Sequence, residues 1–336
     1  MRANGHSQAG FSLLELMVAV AVMGVVTAQL FVVMGNQKKV YSSNERAVDL
    51  QETARMTLDL ISFDTRMGGY MVPTWLAVSS VDGGTQNADR FCVSSMFADP
   101  GVTGTGNPIE GLTTRWEGAR VQPGGVSANS VQISSLNLNP LQDNVDDFAI
   151  GGGIIVASKE QSYCARITGI TPGTPATITF ATSDATAHLT NITPYMQAVP
   201  ANVYELDANN QLLRNNMVLA QGIEDLEAEF WVDGSGVINN LDDGDSEFPV
   251  NNLNNPDPPG GGLMAQNDRI RRVRITVLAV SQFEDQAGSA TGNLTFGRPK
   301  IANRDPGATV DRFRRKAFSV SIMPRNVVGI EDPDPE

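Results

Sequence analysis

The chain has 336 residues, which is enough for one large domain or two ordinary ones. This length excludes a mini-protein that needs disulfides or a metal in place of a sizeable core. Asp and Glu number 37 against 24 Lys and Arg, and the net charge of -13 disfavours general nucleic-acid binding. Hydrophobic residues make up 41%, charged residues only 18%, and there are 32 glycines, which is typical of a folded, loop-rich β protein rather than a disordered chain.

The first feature of the chain is an apolar stretch from Phe11 to Met34, in which Glu15 is the single charged residue. As a helix this stretch is about 36 Å long, and a hydrocarbon core is about 30 Å thick. A leader that ends at Gly10 precedes it, whereas a secretory signal places its small residues after the apolar stretch. The sequence therefore predicts a membrane-spanning helix behind a short leader.

Glu15 is the residue that a plain membrane anchor does not explain, because a carboxylate in hydrocarbon is costly unless a cation offsets it. The pattern GFSLLEL, with Gly10, Phe11 and Glu15 at fixed offsets, resembles the leader-peptidase site of type IV pilins and type II secretion pseudopilins. The resemblance implies cleavage after Gly10 and N-methylation of Phe11. It also implies that Glu15 attracts the N-terminal ammonium of a neighbouring subunit. The alternative is a membrane helix with an accidental glutamate.

After Met34 the helix is predicted to continue as an amphipathic rod. Apolar residues recur every seven positions along it, at Val40, Ala47, Ala54 and Ile61, and Leu50 and Leu58 fall on nearly the same face. This apolar stripe is expected to face a partner. No proline occurs before Pro73 and Gly68 is a plausible stop, so we expect one helix from about Phe11 to about Met67. Pilin families are similar to this arrangement, in which the second half of a long helix packs on a β-rich head.

The rest of the chain, from Tyr70 to Glu336, predicts β-strands between Gly, Pro, Asn and Asp clusters. The fold class is therefore α+β and pilin-like. We predict strands at 90–95, 130–136, 153–157, 163–170, 176–181, 197–206, 211–214, 226–232, 273–282 and 317–323. The expected division is a leader at 1–10, a membrane and assembly segment at 11–34, an amphipathic half-helix at 35–69 and a periplasmic or extracellular head at 70–336.

A likeness to a narrower group comes from the segment Val203–Gly236, where a hairpin turns at Asp207 and an alternating strand follows. This order, with the arginine-rich strand at 269–277 and the closing segment at 312–325, resembles PilW-type minor pilins. The stretch LDLISFDTRMGGY at 58–70 resembles them too, whereas 71–200 carries no family signature.

The resemblance implies a minor pilin that initiates or caps a type IV pilus. Its leader is expected to be cleaved at the inner membrane before it assembles. Its implied partners are other minor and major pilins, the prepilin peptidase and the pilus assembly platform. The alternatives are a J-type pseudopilin of a type II secretion system and a tip adhesin or DNA-binding subunit. No enzyme is predicted, because His188 is the sole histidine after the leader and no Walker-type loop, HExxH or GxSxG occurs. We expect His188 on the surface.

Two further clusters have alternative interpretations. Cys92 and Cys164 belong to no CxxC or metal-ligand pattern, so in an exported head we expect a disulfide, with two buried free thiols as the alternative.

The acidic segment at 242–247 offers oxygen ligands for calcium but lacks EF-hand spacing, so we expect a solvated loop and no cofactor. Its candidate ligands are Asp242, Asp243, Asp245 and Glu247.

Arginines concentrate in two places, around Arg272 and Arg274 and around Arg314 and Arg315. Arg272 and Arg274 alternate with apolar residues, which predicts a strand with a core face and an outward arginine face. The outward arginines are expected to pair with acids of a neighbouring subunit. DNA contact is the disfavoured alternative, because interleaved aromatic residues are absent and the chain is acidic.

Overall fold

The computed structural model describes residues 12–70, 72–81, 83, 87–94, 119–134, 148–158, 161–189, 196–232, 270–281, 284, 295–301 and 310–326. These residues form a long N-terminal helix packed on a β-rich domain of antiparallel sheets. The α+β fold class is thereby confirmed.

Helix α1 spans Leu13–Met67 and is about 82 Å long at the standard rise. It begins after Ser12, whose backbone is extended, and ends at Gly68, whose N–H donates to the carbonyl of Thr65. Gly69 then takes a positive φ of 79°, which turns the chain away from the helix axis. The predicted end near Met67 is confirmed.

The two halves of α1 have different surroundings. From Leu13 to Met34 the large apolar side chains are between 49% and 75% exposed, and none contacts the domain core. In the second half, Ala54 and Ile61 are fully buried and Leu58 is 6% exposed. The C-terminal part of the predicted apolar stripe therefore packs on the chain's own head, while Val40, at the N-terminal end of the stripe, is 59% exposed.

The strands follow in chain order with one short helix among them. They are β1 Val78–Val81, β2 Arg90–Val93, β3 Ala119–Ser127, β4 Ser130–Ile133, β5 Gly153–Ala157, β6 Ser162–Thr171, β7 Ala176–Phe180, the helix α2 Ala185–His188, β8 Gln197–Leu206, β9 Gln211–Arg214, β10 Met217–Gln221, β11 Ile223–Val232, β12 Ile270–Val280, β13 Phe296–Gly297, β14 Val310–Asp311 and β15 Arg315–Ile322. Every predicted strand overlaps one of these. Strands β1, β3, β10, β13 and β14 were not predicted.

Six antiparallel strands close on themselves in the order β8-β3-β4-β7-β6-β5 and back to β8, and we call this ring the barrel. It is filled by buried side chains from every strand, among them Val121, Val131, Tyr163 and Ile178. Its strands other than β8 lie between β2 and β8 in the chain, in the region without a family signature. The barrel is thus built from an almost contiguous part of the chain.

Strand β8 belongs to the barrel and to a second layer. Its first half pairs with β3 and β5, and its second half pairs with β2 and β9. We call β1, β2, the second half of β8, β9 and β10 the outer sheet. Pro200 sits where the partner changes from β3 to β2, and its carbonyl accepts a hydrogen bond from the Ser94 hydroxyl at 2.7 Å. A proline is tolerated there because no strand on that side requires its missing N–H.

The remaining layer is a three-stranded sheet in the order β11-β12-β15, which we call the helix-bound sheet. Its apolar face includes Phe230, Val273, Ile275 and Ile322, and it packs in one core with Ala54, Leu58 and Ile61 of α1. The alternation predicted for β12 is confirmed, since Val273, Ile275 and Val277 are buried on this face. Strands β13 and β14 form a separate two-stranded ribbon.

Candidate assembly site

The start of α1 carries the predicted assembly carboxylate. Oε2 of Glu15 accepts a hydrogen bond from the Ser12 backbone N–H at 3.2 Å, so the side chain folds back over the first turn. A carboxylate in this position satisfies a free N–H and complements the helix dipole. The second oxygen, Oε1, accepts no hydrogen bond from the residues that the structure describes. Gly10 and Phe11 lie outside the described residues.

Glu15 is at one end of an apolar face. The face consists of Leu14, just before it, and of Val18, Val22 and Val26, which follow at intervals of four residues, and all four are exposed. Helix α1 is long and apolar enough to cross a membrane by length and composition, and it lies near the N-terminus. A chain that keeps such a surface in water exposes far more contiguous apolar area than a soluble monomer normally does. This half of the helix therefore needs lipid or other helices around it.

The second half of α1 is fixed to the head by a buried carboxylate, which sequence reasoning missed. Oδ2 of Asp64, 7% exposed, accepts hydrogen bonds from Tyr204 Oη at 2.6 Å, Asn202 Nδ2 at 2.9 Å and Arg214 Nε at 3.0 Å. Burial, with the adjacent charge of Asp64, raises the pKa of Tyr204 well above its usual range, so its phenol remains a donor. Asn326 also donates to the carbonyls of Met67 and Gly68 at 3.4 and 3.3 Å.

Cys92 of β2 and Cys164 of β6 form a disulfide with a Cα–Cα distance of 6.0 Å. It joins the outer sheet to the barrel. In the chain-entropy model, closing a loop of this length contributes about 4 kcal/mol to stability.

A polar cluster surrounds this disulfide. Arg90 donates from Nε to the carbonyl of Cys164 at 2.6 Å, and its Nη2 pairs with Asp184 at 3.3 Å. Tyr163 donates to the same carboxylate at 2.6 Å, and burial raises its pKa above the usual range. Burial opposes ionisation of Asp184, but Tyr163 and Arg90 outweigh it and lower the pKa of that carboxyl. The cluster therefore holds Asp184 as an anion.

His188 differs from the expectation of a surface residue. Its ring stacks on that of Tyr163 with centroids 5.8 Å apart, and the side chain is half-buried at the end of α2. The tyrosine that covers it is remote in sequence, so no local pattern could indicate this contact.

The two arginine groups are engaged within the chain. Arg274 pairs with Glu229 at 2.6 and 3.0 Å and lies 4.8 Å from the Trp231 ring. Arg315 bonds Asp311 at 2.6 Å and Glu224 at 3.1 Å. The expectation that these two arginines pair with a neighbouring subunit is wrong, because Glu224 and Glu229 of the adjacent strand β11 and Asp311 of β14 already pair with them.

The calcium candidates Asp242, Asp243, Asp245 and Glu247 lie outside the described residues. Arg269, at the start of the predicted arginine-rich strand, does too.

Residues 5–28 match the family model "Prokaryotic N-terminal methylation motif". The N-terminus is a prepilin-type motif. It supports a pilin-like prepilin that is processed by prepilin peptidase and anchored in the membrane by the apolar N-terminal helix. The matched segment includes Gly10, Phe11 and Glu15, and it ends within the exposed half of α1. No curated protein and no solved structure matches the chain.

Proposed function

We propose that this prepilin is a minor pilin of the PilW type, which takes part in initiating a type IV pilus and lies at or near its tip. The observation that carries the proposal is the methylation motif at 5–28 on a helix whose first half is exposed while its second half is packed on a large head. This head also contains the barrel, a second, closed unit beside the sheet on which the helix packs. The resemblance of the segments 203–236, 269–277 and 312–325 to PilW-type minor pilins also supports the proposal.

In the proposed cycle, residues 1–10 are removed after Gly10 and Phe11 is methylated at the inner membrane, with residues 70–336 in the periplasm. Cleavage creates an ammonium on each processed chain. Glu15 then offers Oε1 to the ammonium of a neighbouring pilin while Oε2 remains on its own helix start. Each pairing removes an uncompensated charge from the membrane, so assembly becomes favourable only after processing.

Mass analysis of the N-terminus of the protein isolated from cells tests processing. We expect a chain that begins with methylated Phe11. A mature chain that begins at Met1 and is still incorporated into fibres would contradict the proposal.

Glu15 is tested by comparing Glu15→Ala with Glu15→Asp. Alanine should leave cleavage intact and strongly reduce the number of pili per cell, because nothing then captures the ammonium. Aspartate keeps the charge on a shorter side chain and should restore part of the assembly. An unchanged number of pili in Glu15→Ala would reject the pairing role. A change in the amount of secreted enzymes with normal piliation would instead assign the subunit to a secretion pseudopilus.

A further inference from the structure

The two edges of the helix-bound sheet differ. On β11, the Leu226 carbonyl accepts a hydrogen bond from the Asp89 N–H at 2.8 Å, and the Ala228 N–H donates to Oδ2 of Asp89 at 2.9 Å. The chain itself therefore caps the edge at β11. At the other edge, β12 is the only strand within the described part of the chain that pairs with β15. We call the side of β15 that faces away from β12 the β15 edge.

The backbone groups of β15 alternate between β12 and this edge. The Ser281 N–H donates to the carbonyl of Arg314 at 2.9 Å. In an antiparallel pair such bonded positions alternate, so the odd-numbered residues of β15 direct their N–H and C=O groups away from β12. Three of these residues have exposed side chains: Ala317, Ser319 and Ser321. Because these side chains are small, another backbone can approach and pair as a further strand.

The β15 edge is basic, although the chain as a whole has a net charge of -13. Lys316, near the start of β15, and Arg325, just past its end, are both exposed. Arg314 adds a third positive charge beside Lys316, and its guanidinium carbon lies 5.6 Å from the centre of the Phe296 ring. The edge thus has positive charge at each end.

The acids close to this edge are matched by other arginines. Asp311 pairs with Arg315 at 2.6 Å, and Glu284 lies 3.9 Å from Arg312. Among the described residues, these acids therefore do not cancel the charges of Lys316 and Arg325.

Helix α1 adds no excess of acids beside β15. Asp64 contacts β8 and β9, so the opposite flank of the helix is the one that adjoins β15. At 100° per residue this flank carries Arg55, Asp59 and Arg66, all of them exposed. Their sum is one positive charge, so the surroundings of the β15 edge attract a negatively charged partner.

The face of β15 toward α1 gives a partner apolar contacts. Phe318 and Val320 pack on the core of the helix-bound sheet but are only half-buried. Side chains of adjacent strands that share a face lie about 5 Å apart, so apolar residues of an added strand cover the remainder. Nζ of Lys316 lies 5.3 Å from the centre of the Phe318 ring, so an acid at that end of the added strand can reach it.

We propose that the β15 edge binds an extended, acidic segment of another protein, which pairs with β15 as an additional strand. The segment has about six to eight residues, with apolar side chains on the face toward α1 and an acid near each end, beside Lys316 and Arg325. A second copy of this chain is disfavoured as the occupant, because its own β15 edge carries the same positive charges. The inference does not depend on the proposed function.

The test uses the full-length chain in detergent and a synthetic peptide, Glu-Val-Thr-Val-Thr-Val-Glu, as the acidic segment. The matched control is the same peptide with lysine in place of each glutamate. Fluorescence anisotropy of the labelled peptides measures binding. We expect the acidic peptide to bind about tenfold more tightly, because an exposed charge pair at each end contributes a few-fold. Its binding should slow hydrogen exchange of the amides at 317, 319 and 321.

A charge-reversed chain tests the role of the two cations. Lys316→Glu with Arg325→Glu should bind the lysine peptide more tightly than the acidic one, and high salt should weaken the preference in both chains because exposed charges are screened. Equal binding of the two peptides to the wild-type chain would overturn the proposal. The same preference in the wild-type and charge-reversed chains would do so too.

A pair of variants at Ala317 tests the strand pairing. Ala317→Pro removes an N–H that points to the β15 edge and leaves the bonds to β12 in place, which is where an edge strand tolerates proline. Ala317→Val keeps this N–H. The acidic peptide should bind the valine variant and fail to bind the proline variant, while similar urea midpoints show that both are folded. Equal binding to the two folded variants would contradict strand addition.

Hydrogen exchange without peptide identifies any other occupant of the β15 edge. The amides at 317, 319 and 321 should then exchange rapidly. Protection that increases with the concentration of the chain would assign the edge to a second copy, and protection that does not would assign it to another part of the same chain. Either result would overturn the proposal and leave the proposed function standing.

Discussion

The helix-bound sheet and the barrel are held in the molecule by different interactions. The helix-bound sheet joins distant parts of the chain, because α1, β12 and β15 share one core. The barrel is built from residues 119–201, closes on its own strands, and is tied to the rest by β8, the disulfide and the Arg90 cluster. The packing face of α1 can therefore be kept while the barrel changes.

Removal of the Asp64 carboxylate should have the largest effect, and it tests whether the helix is fixed independently of the barrel. Asp64→Ala leaves Arg214, Tyr204 and Asn202 without their shared acceptor, and we expect the free energy of unfolding to fall by about 3–5 kcal/mol. Urea unfolding of the detergent-solubilised chain measures this loss. The exposed Asp59→Ala is the control and should change stability by less than about 0.5 kcal/mol. Equal losses would mean that the buried network does not secure α1.

Loss of the disulfide should act mainly on the barrel. Cys92→Ala with Cys164→Ala should lower the free energy of unfolding by about 4 kcal/mol, because the loop between them is no longer closed in the unfolded chain. Hydrogen exchange should rise in β3–β7 more than in residues 54–67 of α1. A uniform rise over both regions would show that the two regions unfold as one unit.

The same substitution in each core sharpens the comparison. Ile61 of α1 and Ile178 of β7 are both fully buried, so Ile61→Ala and Ile178→Ala should each cost about 3 kcal/mol. The first should raise hydrogen exchange in β12 and β15, and the second in β4 and β6, where their packing partners lie. Identical exchange patterns in the two variants would contradict a division into two cores.

The smallest effect concerns Asp184 and pH. Because its pKa is lowered in the folded chain, it stabilises the fold above its unfolded pKa of about 3.9, and this contribution is lost as pH falls through the lower folded value. Asp184→Asn should therefore lower stability at neutral pH by less than about 1 kcal/mol, since the side chain is partly exposed. Denaturation curves of the two proteins should begin to approach each other below about pH 4 and should coincide only once the pH is below the lowered folded pKa. A gap that persists there would assign the effect to packing.

Local patterns predicted most of the elements. Helix α1, the hairpin at Asp207 and the alternating strand β12 follow from periodicity and turn residues, which act over a few neighbours. The missed strands had weak local signals: β1 is only four residues with two serines, and β3 contains Pro-Gly-Gly. Both exist because a neighbouring strand pairs with them, a contribution that a window of sequence does not contain.

The sequence by itself determined the prepilin-type motif at the N-terminus, because Gly10, Phe11 and Glu15 lie within six consecutive residues and the motif depends only on their offsets. It also determined that the second half of α1 has an apolar side. Only the tertiary structure decided that this side covers the chain's own sheet, that Asp64 meets Arg214 across 150 residues, and that Arg274 and Arg315 are already paired. The physical reason is that burial and charge pairing depend on which distant surfaces meet, and that choice is made by the closed sheets as a whole.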